Sequence, residues 1–105
     1  MAYKLVVSEQ TAHQIDECIY YIVHTLMNPS AAKAVLDDIQ TVYYQLQQTA
    51  ESYAFCEETH LHSKGYRKLA SHAHDYLFVY RVNNGTVYLV GFFHMSENYQ
   101  SQSKL

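Results

Sequence analysis

The feature that most constrains this chain is the dipeptide Asn84-Gly85, which lies between two apolar runs, 76–82 and 86–93. Asn and Gly both tolerate the positive φ angles of a type I′ turn, so this pair favours a two-residue hairpin loop. The first run is apolar at consecutive positions, which is typical of a central strand covered on both faces. The sequence therefore predicts two antiparallel strands in its C-terminal half.

The N-terminal half carries a helical period instead. A short β-branched run at 3–7 predicts an opening strand, and Ser8 is suited to cap the helix that follows. Two sets of apolar residues then recur every three or four positions, which predicts two amphipathic helices. The first set is Ala12, Ile15, Ile19, Ile22 and Leu26, widened by Cys18 and Val23. The second set is Ala32, Val35, Ile39, Val42 and Leu46, widened by Leu36 and Tyr43.

The tripeptide Asn28-Pro29-Ser30 separates the two helices. A residue before proline is pushed out of the α region, and proline suits the first turn of a helix, so the first helix should end here and the second begin. So short a link predicts an antiparallel helix hairpin. On the second helix we expect Asp37, Asp38 and Gln45 to point outward.

A polar stretch at 47–64 predicts a long loop, the kind of segment that often carries function, and a strand at 66–69 follows Gly65. The order β-α-α-β-β-β predicts an α+β fold in which the helix hairpin packs on one face of a small antiparallel sheet. We expect one domain over residues 1–105, with a polar C-terminal tail from about residue 95.

Composition limits the function classes. The chain has 105 residues, 7 Lys+Arg against 10 Asp+Glu and a formal charge of −3, which argues against a general nucleic-acid binder. No apolar run approaches the roughly 18–20 residues that cross a bilayer, and no signal-peptide pattern opens the chain. We therefore expect a cytoplasmic protein without membrane contact, with no cofactor and with Cys18 and Cys56 as free thiols.

With this element order, the chain resembles the RelE/ParE superfamily of bacterial toxins from type II toxin–antitoxin pairs. The resemblance rests on the segments 65–69, 75–82, 87–90, 93–94 and 98–99, together with the opening 3–16. It implies two helices against a four-stranded antiparallel sheet and a growth-inhibiting target. It also implies a small antitoxin protein that wraps the toxin in a hetero-oligomer.

The target divides the superfamily. RelE-like members cleave mRNA on the ribosome, whereas ParE-like members share the fold and inhibit DNA gyrase. RelE-type nucleases carry an arginine directly after the first aromatic residue of the strand motif, where this chain has Leu77. An aliphatic side chain cannot stabilise the charge that builds on phosphorus during RNA cleavage. We therefore favour the ParE-like side, with an essential protein inhibited by binding.

A histidine-dependent mRNA endonuclease is the alternative, because the YafQ-like branch of the superfamily places histidines in comparable positions. Histidine suits acid–base catalysis since its unperturbed pKa is near neutrality, and arginine can clamp a phosphate. The catalytic candidates under this alternative are His62, His72, His74, Asp75, His94, Arg67 and Arg81. A non-toxic relic of the fold is a third hypothesis.

A basic patch between positions 64 and 81 supplies the partner-binding candidates. These are Lys64, Arg67, Lys68 and Arg81, to which we add Tyr99 from the tail. The patch suits phosphate or an acidic segment of the antitoxin, although its lysines can equally be solvated side chains. The pairs at 60/62 and 72/74 would place two imidazoles on one face of a strand, so zinc or copper binding is an alternative to our expectation of no metal.

Overall fold

The computed structural model describes residues 2–71 and 73–95 of the chain. Its elements follow the predicted order, with one short helix added. They are β1 (Lys4–Val7), α1 (Glu9–Tyr20) with a π-helical turn (Tyr21–Thr25), α2 (Pro29–Thr49) with a 3₁₀ turn (Ala50–Ser52), α3 (Thr59–Ser63), β2 (Tyr66–Ala70), β3 (Tyr76–Asn83) and β4 (Thr86–His94). The predicted α+β class is confirmed. Within the two described ranges, no helix combines the length and apolarity needed to cross a membrane.

The four strands form one mixed sheet in the order β1-β4-β3-β2. The predicted antiparallel pairing holds for β2 with β3 and for β3 with β4, whereas β1 runs parallel to β4. Asn84 and Gly85 have φ angles of 51° and 76°, the positive values expected of a type I′ turn. A two-residue turn forces the strands that it joins to be antiparallel. The connection from β1 to the other strands contains the whole helix hairpin, and a connection of that length also allows parallel pairing.

Both faces of β3 are covered, as its apolar sequence predicted. On one face Phe78 and Tyr80 belong to the main core, which the helix hairpin completes through residues such as Ile39 and Val42. On the other face a smaller cluster is built from Cys56, Leu61, Leu77, Val79 and Phe93. The segment between α2 and β2 was predicted to be a loop, but it contains α3, which places Leu61 in this second cluster.

The helix ends follow their sequence signals. The Ser8 hydroxyl accepts a hydrogen bond from the backbone N–H of Thr11 at 3.1 Å, which caps α1. The Asn28 side chain accepts from the N–H of Ala31 at 3.1 Å, and Pro29 is the first residue of α2. The predicted helix boundary at Asn28-Pro29-Ser30 is therefore confirmed.

Several predicted helix faces need correction. Leu26 is 55% exposed, because the π-helical turn, in which its N–H donates to the Tyr21 carbonyl, shifts the helical phase ahead of it. Ala12 and Leu36 are also exposed. Thr11 is buried in place of Ala12, because the Thr11 hydroxyl donates a hydrogen bond to the Leu89 carbonyl.

Asp38 was expected to point outward and is 7% exposed. Its carboxylate lies 3.1 Å from His74 Nδ1, so the loop between β2 and β3 covers it.

Candidate functional site

Three of the four patch cations converge on one groove at the end of the sheet where β2 begins and β3 ends. The groove has a volume of about 360 Å³. Its lining residues are Glu51, Phe55, Lys64, Gly65, Arg67, Arg81, Val82 and Asn83. We call it the basic groove.

Arg67 forms a fixed wall of the basic groove. Its Nη1 atom donates to the carbonyl oxygen of Tyr53 at 2.7 Å and to that of Glu51 at 3.2 Å. Its guanidinium carbon lies 3.9 Å from the centre of the Phe55 ring. With these contacts the guanidinium keeps one orientation.

The segment that holds Arg67 is itself tied to the sheet. The Tyr80 hydroxyl is buried and donates to the carbonyl oxygen of Ala50 at 2.6 Å. Burial raises the pKa of Tyr80, so its phenol remains a neutral donor. Backbone hydrogen bonds also join Ala54 and Cys56 to β2, which covers the outer edge of that strand.

Lys64 and Arg81 supply the other two cations of the groove. Both are exposed, and neither forms an ion pair with any residue in the described ranges. The Arg81 guanidinium carbon lies 5.9 Å from the Tyr88 ring centre. The one carboxylate in the lining, Glu51, accepts a hydrogen bond from the Tyr3 hydroxyl at 2.8 Å, and this bond raises the pKa of Tyr3.

Lys68 does not share the groove. Neighbouring side chains on a strand point to opposite faces, so Lys68 lies on the other side of β2 from Arg67. There its ammonium is 2.7 Å from the Glu57 carboxylate, and this contact lowers the pKa of Glu57. Of the four cations predicted to form one patch, three therefore line the basic groove, and the fourth, Lys68, forms an ion pair on the other face of β2.

The candidate histidines of the nuclease alternative lie mostly at the opposite end of β3. His94 ends β4 and meets the Tyr76 ring edge-on, with ring centres 5.7 Å apart. His74 bonds Asp38, and Asp75 is exposed, with its backbone carbonyl accepting from the N–H of Met95.

A second cavity of about 400 Å³ lies next to His94. Its lining residues are Gln14, Glu17, Cys18, Tyr21, Tyr76, Phe92 and His94. The Cys18 thiol donates to the Tyr76 hydroxyl at 3.3 Å, and burial together with this contact raises the pKa of Tyr76.

His62 belongs to the groove end instead. It lies on α3, and its ring stacks on Phe55 with ring centres 5.2 Å apart. His72 and Tyr99 lie outside the described residues.

The six nuclease candidates that lie within residues 2–71 and 73–95 are thus not brought together in one site. Arg81 lies five positions after Tyr76 on β3, a distance of about 17 Å along the strand. Arg67, Arg81 and His62 are at one end of this span, and His74, Asp75 and His94 are at the other. A single phosphodiester cannot contact both groups.

The predicted arrangement of the histidine pairs also changes. The pair at 60/62 lies on α3, where residues two apart point in roughly opposite directions rather than to one side. In the part of the chain that the structure describes, no three His, Cys, Asp or Glu side chains come together in a way that could hold a metal ion.

The sequence analysis missed Phe55 and assigned Asp38 to the wrong side of α2. Phe55 was one aromatic residue in a polar stretch, and its role depends on Arg67 and His62 stacking against it. Asp38 is not among the apolar residues whose spacing predicts the buried face of α2, and its partner His74 is remote in sequence. In both cases the signal lies in tertiary contacts.

A sequence model of the ParE toxin of type II toxin–antitoxin (parDE) systems matches residues 5–99. The chain belongs to the ParE toxin family. It is accordingly the toxin component of a toxin–antitoxin pair. A search of curated proteins found no match.

A solved structure described as the chromosomal ParDE toxin–antitoxin system from P. aeruginosa shares the fold of this ParE-family chain. The TM-score is 0.72 at 21% sequence identity, and the match covers 89% of this chain and 96% of that one. At this identity the likeness concerns the fold alone.

The Leu77 side chain is buried in this ParE-family chain. It is 8% exposed and packs in the second cluster with Val79 and Phe93. Placing a cation there would bury an unpaired charge. Leu77 is therefore part of the core in this protein.

Proposed function

We propose that this ParE-family toxin arrests growth by binding and inhibiting an essential protein, with DNA gyrase as the first candidate. A ParD-type antitoxin neutralises it by forming a hetero-oligomer. The observation that carries the proposal is the burial of Leu77 where the nuclease branch has its arginine. Without a cation at that position, the arginine-dependent cleavage mechanism has no means of stabilising the charged phosphorane.

The separation of the nuclease candidates supports the same proposal. General acid–base cleavage requires the base, the acid and the phosphate clamp within hydrogen-bond reach of one phosphodiester. In this chain His94 pairs with Tyr76, which lies about 17 Å along β3 from Arg81 and about 13 Å from Tyr80, the residue that pairs with Arg67. The histidine-dependent nuclease therefore gains no support from the geometry, although only a cleavage assay tests it.

A supercoiling assay tests the gyrase target. Purified chain is added to DNA gyrase and relaxed plasmid, and the supercoiled product should fall as the chain concentration rises. Topoisomerase I on the same plasmid is the control, and its relaxation activity should stay unchanged because the chain acts on the enzyme rather than on DNA. Full gyrase activity at saturating chain would remove gyrase as the target.

A further inference from the structure

The basic groove concentrates positive charge in a chain that is acidic overall. Elsewhere in the described ranges Lys33 and Lys68 pair with carboxylates at 3.0 and 2.7 Å. In the groove three cations face a single carboxylate, Glu51, which already accepts a hydrogen bond from Tyr3. The groove therefore carries a net positive charge that can attract an anion from outside the chain.

The groove is also open to solvent, and its cations are accessible to such an anion. Arg67 is fixed on one side, while Lys64 and Arg81 are exposed side chains with no ion pair in the described part of the chain. Gly65 has a φ angle of 81°, and a Cβ built there would meet nothing within 4 Å, so the space above it is open. Guanidinium groups bind carboxylates through two parallel hydrogen bonds, which fixes the ligand as well as attracting it.

We propose that the basic groove is a carboxylate-recognition site, and that it binds an acidic segment of the antitoxin. This inference rests on the proposed function, because the antitoxin is the protein partner which that function requires. Lys64 and Arg81 contact the partner's Asp or Glu side chains, and Arg67 forms the wall against which they are positioned.

The surroundings favour an acidic peptide over a nucleic acid. A nucleic-acid backbone carries a negative charge on every nucleotide and needs a basic track rather than a single cluster. Lys68 is held on the other face of β2 by its ion pair with Glu57, so it does not extend the three groove cations into such a track. A peptide can instead place one or two carboxylates in the groove and continue with neutral residues.

Amide chemical-shift perturbation on the full-length ¹⁵N-labelled chain tests the site. The probes are a peptide of alternating Gly and Glu, the same peptide with Gln in place of Glu, a hexathymidylate oligonucleotide and inorganic phosphate. We expect the Glu peptide to shift the amides of Lys64, Gly65 and Arg81, and the Gln peptide to leave them in place. The shifts should weaken as salt is added, because exposed charge pairs are screened.

Two double variants of equal charge provide the comparison. Lys64→Gln with Arg81→Gln removes the two groove cations, and Lys4→Gln with Lys33→Gln removes two exposed cations elsewhere. All four positions are exposed, and the amide spectrum of each variant shows directly whether it is folded. We expect the Glu peptide to bind the groove variant about five- to tenfold more weakly and the control variant unchanged.

Peptides that tile the cognate antitoxin test the partner. Tiles that shift the groove amides should be acidic and should lose that effect when their Asp and Glu residues become Asn and Gln. Groove shifts caused only by uncharged tiles would overturn the proposal.

Three other results would also overturn it. They are tighter binding of the oligonucleotide or of phosphate than of the Glu peptide, equal weakening in both double variants, and no groove shift at all with the Glu peptide. Because the measurement uses purified chain, its failure is distinguishable from failure of the proposed function, which would appear as normal growth on induction.

Discussion

At the scale of single residues, the Asp38 carboxylate ties α2 to the loop between β2 and β3. Burial raises the pKa of Asp38, but the hydrogen bond with the His74 ring, together with the influence of the Ala73 backbone and the Ser71 side chain, outweighs it. The net pKa lies below the ordinary aspartate value. A carboxyl whose pKa is lowered by folding stabilises the native state in its charged form.

Substituting Asp38→Asn should therefore destabilise the protein in a pH-dependent way. At pH 7 we expect the free energy of unfolding to fall by about 1–3 kcal/mol, since buried donors lose a charged acceptor. The stabilisation is present above the ordinary aspartate pKa of about 4 and is lost as pH falls through the lowered native value. Urea denaturation of both proteins at neutral and acidic pH measures this, and their stabilities should converge in acid.

The neighbouring residue Asp37 is the matched control. It is exposed and pairs with Lys33 on the helix surface, so Asp37→Asn should change the unfolding free energy by less than about 0.5 kcal/mol. Equal losses in the two variants, or a loss in Asp38→Asn that does not depend on pH, would contradict this account of Asp38.

At the scale of elements, three turns contain residues in the left-handed backbone region, and two of them allow a direct comparison of glycine with a larger residue. Gly85 has a φ angle of 76° in the β3–β4 hairpin, and Met27 has a φ angle of 54° between the π-helical turn and α2. Met27 is 78% exposed, so its side chain gains little from packing. This conformation is easy for glycine and costly for other residues.

Opposite substitutions at these two positions should have opposite effects. We expect Gly85→Ala to lower the free energy of unfolding by about 1 kcal/mol; no atom lies within 4 Å of the new Cβ, so the cost is conformational alone. Met27→Gly should raise it by about 0.5–1 kcal/mol. Thermal and urea denaturation of the two variants and the wild type measure these changes in unfolding free energy. Changes of the same sign in both variants would contradict the backbone argument.

The elements that the sequence predicted are those with local signals. The Asn84-Gly85 hairpin and the boundary at Pro29 depend on φ preferences that a dipeptide expresses by itself. The helix α3 has five residues and is too short for a period, so it depends on Leu61 packing against the sheet. The π-helical turn likewise leaves no mark in apolar spacing, which is why Leu26 was assigned to the wrong face.

At the scale of the whole molecule, the sheet separates two groups of residues that are mixed in the sequence. The basic groove lies at one end of β3, and His74 with His94 lies at the other. The cations could be predicted as a patch because they are close in sequence. Their separation from the histidines could not, because it depends on strand register. The fold therefore keeps the described nuclease candidates in two groups rather than in one centre.

The most direct test of this account is to map mRNA 5′ ends by primer extension while induced chain arrests growth. Cultures expressing wild-type chain, His94→Ala and the surface control His13→Ala are compared. The account predicts arrest in all three with no new 5′ ends. New 5′ ends in the wild type and the control that disappear in His94→Ala would contradict it and establish the histidine-dependent nuclease.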